Sequence, residues 1–124
     1  MRIAFFIGIA VVGPGIVAGA AGADPAQIVG AEARPGPAGW TVSVTLRHGD
    51  TGWDDYADGW RLTTRDGAVI ATRVLAHPHV NEQPFTRSLS GVDLPEGRTV
   101  FVESSTNVTG WSGERFRLPV PEPD

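Results

Sequence analysis

The run WRLTTRDGAVIATRVLA, residues 60–76, reads as two β-strands and the turn between them. Trp60, Leu62 and Thr64 alternate with Arg61, Thr63 and Arg65, the period of two that buries one face of a strand and wets the other. Asp66-Gly67 follows, a pair suited to a type I′ hairpin turn, whose two central residues both need positive φ. Residues 68–76 then carry the chain back. The same alternation comes earlier, where Trp40, Val42, Val44 and Leu46 are interleaved with Thr41, Ser43, Thr45 and Arg47.

Working outward, residues 83–92 make a further strand, with Ser90-Gly91 as a bulge or bend. Pro95-Glu96-Gly97 turns the chain into 99–103, and 114–120 ends the series. Residues 28–33 form a weaker first strand, closed by the corner Pro35-Gly36-Pro37. Nothing between 24 and 124 sustains a helical period. About seven short strands with regularly spaced turns predict an all-β chain, a single antiparallel immunoglobulin-like β-sandwich. A small closed β-barrel is the alternative. The cysteine count is zero, so Trp40 or Trp60 must fill the core without the disulfide on which antibody domains pack a tryptophan.

The N-terminus gives the compartment. Met1-Arg2, an apolar run over 3–19, and the small-x-small pattern Ala21-Gly22-Ala23 predict a signal peptide over 1–23, leaving a β-sandwich domain over 24–124. Crossing the hydrocarbon core takes ~20 apolar residues, and Gly13-Pro14-Gly15 would break a helix in that run. No stable membrane anchor is therefore expected after cleavage, and the destination is periplasmic or secreted. With no cysteine there is neither disulfide nor thiolate metal site. All ten basic residues are arginines, and the net charge of −4 becomes −5 once Arg2 leaves with the signal. An acidic domain without a basic patch argues against nucleic acid or anionic lipid as partner.

Strand direction locates a candidate site. If successive strands run antiparallel, the loops 48–58, 77–82 and 104–113 share one end, opposite 66–67 and 95–97. The three histidines of the chain, with Trp53, Tyr56 and Trp111, fall in those loops. Loops at one end of a rigid sandwich are where binding or catalysis resides. Within them, His77-Pro78-His79 should be extended, because proline pushes its predecessor out of the helical region. Residues two apart on an extended run face the same way. Both imidazoles could then ligate Zn²⁺ or Cu²⁺, with Glu82 or His48 completing three ligands and one position left open. The competing expectation is a corner stiffened by Pro78, with His77 bonded to a backbone carbonyl.

Other residues carry weaker expectations. Asp50, Asp54, Asp55 and Asp58 offer hard oxygens for Ca²⁺, but their spacing is not that of an EF-hand, and a solvated charged loop explains them as well. Arg87 shares strand parity with Phe85 and Leu89. Facing inward it would need a carboxylate, from Glu82 or the 50–58 loop; at a strand edge its stem would cover apolar surface while its head reached water. No Gly-x-Ser-x-Gly elbow, phosphate-cradling loop or nucleophilic cysteine is present, and no pattern supports a serine activated by His77 or His79.

The strings WDDYADGWRL (53–62), DGAVIATRVLAHPH (66–79) and EQPFTRSLSGVDLP (82–95) resemble an exported proteobacterial family of small uncharacterised proteins, a resemblance that implies no activity. His77-Pro78, Glu82 and the strand from Phe85 to Leu89 are locally similar to the superoxide-reductase (desulfoferrodoxin) domain, which implies an immunoglobulin-like fold with a site at the loop end. That family holds iron with four histidines and a cysteine. Three histidines, no cysteine, and a 107–111 stretch without the family's Cys/His loop do not supply that set. The sequence thus predicts a small exported binding module with a candidate Cu or Zn site at its loop end and a protein or small ligand as partner. A structural or protein-interaction domain whose aromatic loops pack on a partner is the alternative, and an enzyme using the same end ranks last.

Overall fold

A computed structural model describes residues 24–95, 97 and 99–121. The signal peptide expected over 1–23 lies outside the described residues. The chain forms β1 (Gln27–Gly36), β2 (Gly39–Arg47), β3 (Ala57–Thr64), β4 (Val69–Val74), β5 (Phe85–Val92), β6 (Val100–Thr106), β7 (Gly110–Trp111) and β8 (Phe116–Leu118). One sheet has the order β1-β2-β5, the other β4-β3-β6-β7, with β8 also beside β6, and all pairs are antiparallel. The described residues form an all-β, immunoglobulin-like sandwich. No helix among the described residues is long and apolar enough to cross a membrane.

Strand β2 shows how alternation builds the layers. Val42, Val44 and Leu46 are fully buried between the sheets. On its outer face, Ser43 meets Ser88 and Thr45 meets Thr86 through hydroxyl contacts of 2.7 Å across to β5. Trp60 and Leu62 of β3, Val100 and Val102 of β6, and Phe85 of β5 close the core from the other sides. Each such side chain, fully buried, contributes roughly 1.5–3 kcal/mol. Of the two candidate tryptophans, Trp60 is the one at 0% exposure on the third strand, and Trp40 packs only at the margin.

Closure into a barrel would require β4 and β5 to pair. Instead Arg73 reaches from β4 and donates from Nε to the Ser88 carbonyl at 3.0 Å, so the two sheets are latched by a side chain rather than a ladder. Three local readings are corrected. The 66–67 turn is a three-residue loop, with Gly67 N donating to Thr64 O at 2.9 Å, Thr64 N to Ala68 O at 2.9 Å, and Gly67 alone at φ 92° supplying the left-handed step. The first strand runs to Gly36 and closes on Gly39 as a tight hairpin, because its partner β2 supplies a full ladder. The last strand is shorter than 114–120. Only 116–118 pairs, and upstream the Glu103 carboxylate takes the Gly113 N–H at 2.8 Å in place of a backbone partner. The Ser90-Gly91 bulge is present, with Gly91 at φ 68° and the β2–β5 register slipping there.

Candidate functional site at the loop end

The connections β2–β3, β4–β5 and β6–β7 meet at one end, while Asp66 and Gly97 line a common hollow at the other. What holds the loop end together is one carboxylate. Asp50 is buried, and its Oδ1 accepts from the backbone N–H of Ala57 at 3.1 Å and faces His48 Nδ1 at 2.6 Å. Its Oδ2 accepts from the N–H of His79 at 2.8 Å. Two loops distant in sequence are thereby fastened to opposite oxygens of one side chain. Gln83 repeats the link, accepting from His48 N and donating to His79 O, each at 2.9 Å. Asn107 ties in the third connection: its side chain accepts from Tyr56 N at 2.8 Å and donates to Trp53 O at 2.9 Å. A buried carboxylate this fully bonded, with the half-buried Gln83 and the exposed Asn107 adding to it, orders these loops rather than merely solvating them.

His48 belongs to this scaffold. Its Nε2 lies 2.9 Å from the Asp24 carbonyl and 3.6 Å from Asp55 Oδ1, so both ring nitrogens face oxygen acceptors. A ligating nitrogen must present a lone pair to the metal. His48 is thus linked to the candidate pair through Asp50, with both of its own ring nitrogens facing oxygens.

His77 and His79 are brought side by side, as the extended run requires, with ring centroids 4.7 Å apart and planes tilted by 36°. His79 also stacks on Phe85 at 4.0 Å and 10°. Only 5% of His79 is exposed, yet neither Nδ1 nor Nε2 has a hydrogen-bond partner. Burial, and then the positive charges of Arg87 and His77, lower its pKa below 6.5, against an opposing pull from Glu82 and Asp50. The ring is accordingly neutral at pH 7, with a lone pair to offer. His77 is exposed, and its Nδ1 sits 3.1 Å from the Pro78 carbonyl.

Glu82 is engaged elsewhere. Arg87 donates to its two oxygens at 3.0 and 3.4 Å, and that side-chain hydrogen bond, ahead of any other cause, lowers the Glu82 pKa. Arg87 therefore finds the carboxylate expected of it, but at the surface, with its guanidinium 5.6 Å from the Phe85 ring centre. Among the described residues no group of three or more His, Asp or Glu is placed to hold a metal. Asp50 is spent in the scaffold, so the four aspartates of 50–58 do not converge on a calcium site.

Reading residues by type missed Asp50, Gln83 and Asn107, which act by position. The one available signal was the spacing His48-Gly49-Asp50, read above only as part of an acidic loop. No family model matches the chain, and no solved structure does. A protein of Halomicrobium mukohataei named "Putative lipoprotein" is 42% identical over 73 residues, which make up 58% of this chain and 35% of that protein. The chain thus covers about a third of the length of the relative it matches. Nothing in these comparisons connects it with the superoxide-reductase domain.

Proposed function

We propose that the protein is a small exported binding module, periplasmic or secreted, that holds a divalent cation of the copper or zinc type between His77 and His79. Export is supported by the signal-like residues 1–23 and by the name of the Halomicrobium relative. The 124 residues include no cysteine, so a thiol-linked lipid has no attachment point within them.

The observation that carries the metal reading is the state of His79, a buried imidazole with two unpartnered nitrogens lying against a second imidazole. An unmet buried nitrogen costs about 1–3 kcal/mol, and a cation would remove that cost for the nitrogen that carries the lone pair. The ring separation suits shared ligation: with Zn–N near ~2.0 Å, two imidazoles on one tetrahedral ion have centroids about 5 Å apart. Glu82 supplies a third ligand if it leaves Arg87, and His48 acts from behind, fixing the carboxylate that fixes the His79 backbone.

Calorimetric titration of the domain with Cu²⁺ and with Zn²⁺ tests this. Saturable binding of one ion per chain, lost in His77→Ala, is the expected result. Heats that are indistinguishable between the protein and that variant would remove the metal and leave residues 77–82 as a structural corner. His77 is exposed, so the variant should keep its fold.

A further inference from the structure

A second feature of the loop end is independent of the histidines. Gly52 and Asp55 form an isolated bridge, with Thr51 N donating to Asp55 O at 3.0 Å and Asp55 N to Gly52 O at 3.2 Å. Trp53 and Asp54 are the two residues at the tip of this turn. Trp53 is 64% exposed although Asn107 holds its backbone, and Tyr56 stands edge-on to it at 5.5 Å and 75°. An indole displayed on a clamped turn is an ordered surface, presented without a loss of loop entropy on binding.

The rest of the molecule shows which chemistry its aromatic rings take. Arg61 lies over Trp111 and Arg115 over Phe101, each with the guanidinium 4.0 Å from the ring centre. No arginine of the described residues covers Trp53. Around it the charge is of one sign: residues 48–58 contain four aspartates and no arginine. Asp50 is consumed in the scaffold, whereas the Asp54 and Asp58 carboxylates take no hydrogen bond or ion pair among the described residues. Indole is the best cation–π acceptor among side chains; the exposed, unpaired Asp54 adjoins it in the turn, and Asp58 follows four residues on at the start of β3, so the segment adds charge complementarity.

We propose that the 51–58 turn is a docking surface for an arginine- or lysine-bearing segment of a partner protein, one cation stacking on Trp53 and a neighbouring one pairing with Asp54 and Asp58. The test is fluorescence anisotropy of a labelled hexa-arginine peptide, titrated with the protein at 150 mM salt in the presence of EDTA, so that the histidine pair takes no part. Saturable binding is expected, weakened about fivefold in Trp53→Ala, retained in Trp53→Phe, and weakened in an Asp54→Asn/Asp58→Asn double variant. Absence of binding to the unaltered protein overturns the proposal. So does equal binding by Trp53→Ala, which would mean diffuse attraction to an acidic chain. Circular dichroism of each variant checks its fold, and Trp53→Phe keeps the test valid if Trp53→Ala is disturbed.

Discussion

Loops 48–58 and 77–82 each bury a histidine beside the same carboxylate, and they treat the two rings in opposite ways. Both nitrogens of His48 face oxygens within 2.9 Å. Neither nitrogen of His79 has a partner. Burial alone does not separate a structural histidine from a functional one, since both rings are shut away from water. Satisfaction does. A ring with every bond made has nothing left for a ligand, whereas a ring held by its backbone and by stacking keeps its lone pair in reserve.

The substitution with the largest expected effect attacks what the two loops share. Asp50→Ala strands the Ala57 and His79 N–H groups and removes the oxygen facing His48 Nδ1. Each buried donor left without its acceptor costs about 1–3 kcal/mol, so a loss of several kcal/mol is expected. Urea denaturation of the variant should show that loss, and a cost within the range of surface substitutions would mean that Asp50 is no hub.

His48→Phe comes next. It keeps the ring volume but leaves the Asp50 oxygen and the Asp24 carbonyl without their partner, so a loss of about 1–3 kcal/mol is expected. Equal costs for this change and the corresponding one at His79 would dissolve the contrast between the two rings.

The sheets were legible in the sequence for the reason that the loops were not. Alternation over Val42 to Leu46 and over Trp60 to Leu62 states directly which side chains face the core, because the pleat has a period of two; past Leu62 the register shifts and Thr63, expected on the outer face, is buried. The end shared by the long loops followed from counting strand directions, and His77 meeting His79 followed from the geometry before Pro78. The Asp50 scaffold had no such rule. An aspartate that bonds N–H groups 7 and 29 residues away leaves no periodic trace, and in composition it looked like one more charge in an acidic loop. By residue type His48 is a candidate ligand, and nothing local in the sequence tells that both of its ring nitrogens face oxygen acceptors. The sequence offered Arg87 a carboxylate from Glu82 or from the 50–58 loop, and it is Glu82 that it meets, a choice that depended on where β5 begins.

A gentler probe is pH. The folded pKa of His79 lies below 6.5, so the unfolded chain takes up a proton near pH 6.5 that the folded chain refuses. Stability from this source is present above pH 6.5 and is lost as pH falls from there toward the folded value. The lowered Glu82 pKa acts in a separate window, present above 4.5 and lost below it. Thermal melts in EDTA between pH 8 and 5 should therefore show a decline that begins near 6.5 and is smaller in His79→Phe. A profile unchanged by that substitution would mean that His79 takes up its proton as readily in the fold as in the unfolded chain, contrary to its burial and neighbours.

The smallest expected effect is the sharpest test of the comparison. His79→Phe keeps a flat ring to stack on Phe85 and leaves the backbone bonds to Asp50 and Gln83 in place. The imidazole nitrogens it deletes made no hydrogen bond, so no partner is stranded. Replacing an unsatisfied polar edge by an apolar one of similar shape is close to neutral, within about 1 kcal/mol, and can stabilise. At pH 8 in EDTA the variant should melt at or slightly above the temperature of the unaltered protein, while losing the Cu²⁺ and Zn²⁺ binding proposed for the pair. A loss as large as that of His48→Phe would show that His79 holds structural bonds after all, and its lone pair would no longer be free for a metal.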